Sequence, residues 1–118
     1  MYREITIGKE SIPMKATAAT PIRYRHVFKK DVLNELSTVG ENSALAIDTI
    51  SQLAFIMAQA ASGADMNKLN EDVYVSWLEQ FEPFDITNAS EDIVDLYIGS
   101  TEGMSEVKKK AGDAVKES

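Results

Sequence analysis

Two alternating segments open the chain and predict a β-hairpin with one apolar face. They occupy residues 3–7 and 12–16 and flank a turn-forming stretch at residues 8–11. Their apolar positions are Ile5 and Ile7, then Ile12, Met14 and Ala16. Pro13 falls on the opposite face, so we expect its nitrogen, which carries no hydrogen, to face solvent at a sheet edge. A lone hairpin is only marginally stable, so the helices that follow must cover its apolar face.

Apolar residues at helical spacing, bounded by cap and stop residues, predict five helices after the hairpin. Their predicted bounds are Thr20 to about Phe28, Val32 to about Gly40, Asn42 or Ser43 to Gly63, Asn70 to Pro83, and Asp85 to Gly99. The expected N-terminal caps are Thr20 (followed by Pro21), Asp31, Asn42 or Ser43, Asn70 and Asp85. The third helix is apolar almost around its axis in its C-terminal half, which favours a central position in the fold.

The apolar faces of the fourth and fifth helices are narrower than that of the third helix. In the fourth helix Val73, Trp77 and Phe81 recur at intervals of four residues and should share a face. In the fifth helix the predicted stripe consists of Ile86, Ala89, Ile93 and Leu96 or Tyr97. Both stripes are typical of helices that cover one side of a core.

These elements predict an α+β fold that is mainly α, in which an N-terminal β-hairpin packs on a bundle of about five helices. Residues 1–99 are expected to form this single domain. Residues 100–118 are expected to form a flexible, disordered C-terminal tail or a frayed helix. Their only sizeable apolar residues are Met104, Val107 and Val115, too few to offset the entropy of ordering the segment.

Composition narrows the function classes. The 118 residues carry a formal net charge of −7, which disfavours a duplex nucleic-acid binder and favours protein partners. There is no cysteine, which fits a reducing cytosol and removes thiolate chemistry. The first residues lack a signal-peptide pattern, and the longest apolar stretch, residues 44–61, is too polar for a membrane span, so we expect no membrane association.

No pattern of catalytic residues is visible, so the sequence predicts neither an enzyme nor a cofactor or metal site. His26 is the single histidine, and we interpret it as a structural or surface residue. The carboxylates cluster near helix starts, where they stabilise the helix dipole, and lack the spacing of a calcium loop. Gly8 and Gly40 stand outside any phosphate-binding motif.

Two clusters are candidate partner-binding residues. Arg23, Tyr24 and Arg25 lie close to Lys29 and Lys30 and form a basic, aromatic group. This group could dock an acidic partner or a second subunit; the alternative is a solvated helix face with Tyr24 packed inward. The second cluster is Trp77, Phe81 and Phe84, for which core packing is the alternative to an interface.

Three stretches of the chain resemble, in order, the tail assembly chaperones of long, non-contractile-tailed phages and prophages of Gram-positive hosts. The first is the hairpin and the run KATAATP at residues 15–21, followed by Arg23-Tyr24-Arg25 and Phe28. The second is QLAFIMA at residues 52–58, which is similar to the family's central helix. The third is WLEQFEPFDI at residues 77–86. The resemblance covers roughly residues 2 to 98.

The resemblance implies a non-enzymatic role in phage tail morphogenesis. A tail assembly chaperone binds the tape-measure protein, keeps it soluble and helps recruit the major tail (tube) protein around it. It acts in the host cytoplasm and is absent from the mature virion. The alternative is a structural tail subunit retained in the virion. The family also implies self-association into a homo-oligomer and a longer product made by programmed frameshift, for which Lys108-Lys109-Lys110 could mark a slippery coding run.

Overall fold

The fold is a two-stranded antiparallel sheet laid against a layer of helices. The computed structural model describes the backbone of residues 1–37 and 43–113 and the side chains of residues 1–35 and 47–99. Within those residues the elements are β1 (Tyr2–Ile7), β2 (Glu10–Lys15), α1 (Thr20–Phe28), α2 (Val32–Ser37), α3 (Ser43–Ser62), α4 (Glu71–Leu78) and α5 (Asp85–Asp113), with a short 3-10 helix at Met66–Lys68 before α4.

The predicted hairpin is present, and its turn is tighter than the predicted stretch at residues 8–11. Ile5 pairs with Ile12, and a two-residue loop, Gly8-Lys9, joins the strands. Gly8 has a φ of +66°, while Lys9 has no positive φ, as in a type II′ turn. Met1 and Ala16 exchange backbone hydrogen bonds beyond the strand ends. Because hydrogen-bonded pairs alternate along the ladder, Pro13 occupies a non-hydrogen-bonded position and its nitrogen faces outward, as predicted.

Helix α3 lies at the centre of the fold, as predicted from the apolar residues almost all around its axis. Its residues 51–58 are all buried. Helix α3 contacts β2, α5, α1, α2 and α4, while α5 also contacts β1, so the two longest helices cover the hairpin's apolar face together. Ile5, Ile7, Met14 and Ala16 are each at most 1% exposed on that face. Only Ile12, near the hairpin turn, is partly exposed.

Two of the five predicted helix caps are confirmed. Asp31 Oδ1 accepts hydrogen bonds from Leu33 N at 3.0 Å and Asn34 N at 3.4 Å at the start of α2. Asn70 Oδ1 accepts from Val73 N at 2.9 Å at the start of α4. Both side chains therefore accept hydrogen bonds from backbone N–H groups that have no backbone acceptor at a helix N-terminus.

The predicted caps at Thr20 and Asp85 are wrong, because both side chains bond backwards along the chain. Thr20 already belongs to α1, and its hydroxyl accepts from Thr17 N at 2.9 Å. Ala19 takes the N-cap position and has no side-chain cap. Asp85 is likewise the first residue of α5, and its Oδ2 accepts from Glu82 N at 2.9 Å. Each residue therefore closes the turn that precedes its helix.

Two predicted helix ends also differ from the structure. Helix α4 ends at Leu78, before Pro83. Helix α5 continues past Gly99 to Asp113, since Gly99 does not adopt the positive φ that terminates a helix. The predicted end of α2 near Gly40 and the possible cap at Asn42 lie outside the described residues.

The predicted fold class is confirmed in its hairpin and its helices, five of which are α-helices within the described ranges. The predicted flexible tail falls on residues 100–118: helix α5 covers the backbone of 100–113, and residues 114–118 lie outside the described part. None of the helices searched within the described part is long and apolar enough to span a membrane.

Candidate functional site

The predicted basic cluster on α1 divides between the core and the surface. Tyr24 is fully buried, whereas Arg25 is exposed and Arg23 is half-buried. The Tyr24 hydroxyl donates a hydrogen bond of 2.8 Å to Gln52 Oε1 on α3. Tyr24 is therefore part of the core, and its inclusion among the partner-binding residues is corrected; of the three predicted residues on α1, Arg23 and Arg25 reach the surface.

Burial also determines the acid–base behaviour of Tyr24. Removal from water raises the pKa of its phenol well above the usual value, the nearby Glu35 carboxylate raises this pKa further, and a hydrogen bond with Thr49 opposes the rise. The phenol is therefore neutral and can act as a donor throughout the physiological pH range. Its bond to Gln52 ties α1 to the central helix inside a mainly apolar core, in which Thr20, Thr49 and Ser51 are also buried.

An array of aromatic rings connects this core to the surface at α4. Phe28 contacts Tyr74 with ring centroids 5.1 Å apart, and Phe55 lies between Tyr74 at 5.4 Å and Trp77 at 5.7 Å. Trp77 then contacts Phe81 at 5.0 Å. All four contacts have the edge-to-face geometry that aromatic quadrupoles favour. Trp77 and Phe81 thus have one side on the core and the other at the surface.

Helix α4 is apolar in sequence yet has no fully buried residue. Five of its eight residues are apolar or aromatic. Tyr74, Trp77 and Leu78 are half-buried, while Val73 is 37% and Val75 50% exposed. The predicted face of Val73, Trp77 and Phe81 is thus rotated, because Tyr74 and not Val73 points toward α3.

Phe84 lies in the turn between α4 and α5 and is 72% exposed, more than any other large apolar side chain in the described part. The turn is closed by Asp85 N donating to Glu82 O at 3.0 Å and by Glu82 N donating to Asp85 Oδ2. These bonds hold Phe84 at the start of α5 with its ring in solvent. The acidic-aromatic surface is our name for Val73, Trp77, Phe81 and Phe84 together with the carboxylates Glu71, Asp72, Glu79 and Glu82.

Charge is distributed unevenly between the two candidate regions. Residues 69–99 contain eight carboxylates and no lysine or arginine, whereas residues 3–30 contain seven lysines and arginines. The carboxylates at 71, 72, 79 and 82 are all exposed. The two halves of the predicted partner-binding set, Arg23 with Arg25 and Trp77 with Phe81 and Phe84, therefore lie in environments of opposite charge.

The remaining titratable groups do not assemble into a metal centre within the part of the chain that was searched, where no three histidine, aspartate or glutamate side chains converge. His26 is exposed on α1. In the described region every buried side-chain nitrogen or oxygen has a hydrogen-bond partner.

Sequence reasoning missed two residues that organise this region, Tyr74 and Gln52. Tyr74 contacts both Phe28 and Phe55, and its position three residues before Trp77 was the available signal. Gln52 gave no such signal, because its partner Tyr24 is 28 residues away. The chain matches no protein-family model, no curated protein and no solved structure in the comparisons that were made. The resemblance to tail assembly chaperones therefore stays a prediction.

Proposed function

We propose that this protein is a non-enzymatic tail assembly chaperone. It binds the tape-measure protein during phage tail morphogenesis, keeps that protein soluble in the host cytoplasm and helps tail-tube subunits gather around it. The ordered resemblance over residues 2 to 98 motivates the proposal.

One observation carries it: the segment at residues 77–86 that shares the chaperone pattern also bears the most exposed aromatic ring of the described part, Phe84. Aromatic side chains with one side free are typical anchors of protein interfaces. The half-buried rings of Trp77 and Phe81 extend the same surface along α4. A surface of this kind is suited to covering apolar side chains of another protein.

A tape-measure protein supplies such side chains. It is expected to be long and helical and to expose apolar stripes before the tail assembles around it. Exposed stripes of this size promote aggregation, and a partner that covers them keeps the protein soluble. Docking of a helix on an apolar surface is a common mode of recognition.

Co-expression with the tape-measure protein of the same phage or prophage tests the proposal. The expected result is that the soluble fraction of the tape-measure protein rises and that the two proteins co-purify. The Phe84→Ser variant should reduce both effects, whereas Ile22→Ser, which alters a 58% exposed residue on α1, should leave them unchanged. An equally insoluble tape-measure protein with and without this chain, and no co-purification, would contradict the proposal.

Recruitment of the tail tube and the fate of the chaperone need separate measurements. Addition of the major tail protein to the complex should yield a ternary species in sedimentation, and its absence would count against recruitment. Mass spectrometry of purified particles should find the chain absent or strongly depleted. Stoichiometric amounts would instead identify a structural tail subunit. Light scattering over a range of concentrations tests the proposed homo-oligomer, which a constant monomer mass would contradict.

A further inference from the structure

We infer that the acidic-aromatic surface binds an amphipathic helix whose apolar stripe is flanked by lysine or arginine. The inference rests on the proposed function and deepens it, because it names the kind of tape-measure segment that the chaperone recognises. It is carried by three features of the described residues: an aromatic stripe that is half-buried at Trp77 and Phe81 and exposed at Phe84, carboxylates at both ends of that stripe, and the absence of any basic residue between positions 69 and 99.

The apolar part of the surface has the dimensions of a helix-binding stripe. Val73 and Trp77 lie one turn apart on α4, and Phe81 continues their line into the turn, where its ring contacts that of Trp77. Eight helical residues span about 12 Å, which matches two turns of a partner helix with anchors at i, i+4 and i+7. Phe84 follows three residues after Phe81, and its side chain is 72% exposed.

The carboxylates of the surface favour a partner helix with positive charge. Glu71 and Asp72 lie at the start of α4, and Glu79 and Glu82 follow its end, so exposed carboxylates bracket the aromatic side chains. The nearest basic residue in the sequence is the exposed Lys68, three residues before Glu71, and no lysine or arginine follows it up to position 99. An acidic partner helix would be repelled, whereas lysines or arginines beside an apolar stripe would steer the encounter and set the register.

Trp77 provides a local probe of this surface, since it is the single tryptophan of the chain and is half-buried at the stripe. The experiment titrates the full chain with a synthetic 18-residue helix of leucine and lysine and follows the emission of Trp77. Two comparison peptides have the leucines replaced by serine or the lysines by glutamate. We expect saturable binding of the leucine–lysine helix, with an affinity that falls as salt rises, and at least about tenfold weaker binding of both comparison peptides.

Variants of the chain locate the binding site. Phe84→Ser should weaken binding about tenfold, as expected for loss of most of a buried aromatic contact. Glu79→Lys with Glu82→Lys should weaken it to a similar degree and flatten its salt dependence. The matched control, Glu4→Lys with Glu10→Lys, makes the same change in net charge at two exposed hairpin residues and should bind as the original chain does. Circular dichroism verifies that each variant is folded.

Three results would overturn the inference. The first is equal binding by the control pair and the Glu79/Glu82 pair, which would mean that net charge alone attracts the peptide. The second is equal binding of the serine–lysine peptide. The third is a Trp77 emission that changes with protein concentration in the absence of peptide, because a second copy of the chain would then occupy the surface.

The same variants separate this inference from the proposed function. If the tape-measure protein is kept soluble equally well by the original chain and by the Phe84→Ser and Glu79→Lys/Glu82→Lys variants, the chaperone role stands and the assigned surface is wrong. If the leucine–lysine helix binds as expected but the tape-measure protein is never solubilised, the surface stands as a helix-binding site and the chaperone role fails.

Discussion

Replacement of Gly8 by alanine tests how closely the hairpin turn packs against the start of helix α5. A Cβ atom added at Gly8 would lie 2.8 Å from Asp85 Cγ and closer still to Asp85 Oδ2. The same Oδ2 accepts the hydrogen bond from Glu82 N that closes the turn before α5. The new methyl group must therefore displace the carboxylate and break that bond.

The expected cost of the Gly8→Ala change has two parts. Gly8 has a φ of +66°, and an L side chain in that region costs roughly 1–2 kcal/mol. Loss of the hydrogen bond between Asp85 and Glu82 adds about 1 kcal/mol. The free energy of unfolding should thus fall by about 2–3 kcal/mol.

A double-mutant cycle separates the two parts. Asp85→Ala should lower the free energy of unfolding by about 1 kcal/mol in the original chain. In the Gly8→Ala background the same change should have almost no effect, so the coupling between the two positions is about 1 kcal/mol. Gly63→Ala is the matched control, because Gly63 has a φ of +75° and open space around its missing Cβ. Its effect should add to that of Asp85→Ala without coupling. Urea denaturation followed by Trp77 fluorescence and by circular dichroism measures all of these free energies. A Gly8–Asp85 coupling below about 0.3 kcal/mol would refute the close contact between the turn and α5.

Three further outcomes are expected from the described contacts. Tyr24→Phe leaves Gln52 Oε1 without its donor in the core, so urea denaturation should show a loss of about 1–3 kcal/mol; an unchanged midpoint would contradict that bond. Burial raises the pKa of Tyr24, Tyr74 and Tyr97 above the usual 10. The unfolded chain therefore releases these protons first, and thermal melts should show stability falling as pH rises above about 10. Asn70→Ala removes the cap of α4 and should cost about 1 kcal/mol in urea; no loss would mean that the cap is not formed.

Local sequence rules succeeded where both partners of an interaction are close in the chain. Asn70 caps α4 because its side chain reaches an N–H three residues ahead. They failed where a residue has two local options of similar energy: Thr20 bonds back to Thr17 N and Asp85 bonds back to Glu82 N. Ser, Thr and Asp side chains form such turns as readily as they cap helices. The choice depends on how the preceding turn packs.

Local sequence rules were also insufficient for the candidate partner-binding residues. The aromatic residues Trp77, Phe81 and Phe84 could be selected from the sequence, but their exposure could not. Phe84 is 72% exposed, while Tyr24, which the sequence placed with the other candidates, is fully buried. Both are aromatic residues beside polar neighbours, and nothing within a few positions distinguishes them. Their difference arises from α3, which covers Tyr24 and leaves Phe84 in solvent.

The sequence by itself determined the order of the elements, the apolar face of the hairpin and the central place of α3, because periodicity and turn chemistry act over a few residues. Only the tertiary structure decided which aromatic side chains are covered and which polar groups pair inside. Tyr24 meets Gln52 across 28 positions, and the Gly8 turn meets Asp85 across the fold. Such contacts depend on how whole helices and strands pack. Contacts between residues so far apart in the sequence produce no periodic pattern of apolar residues from which they could be predicted.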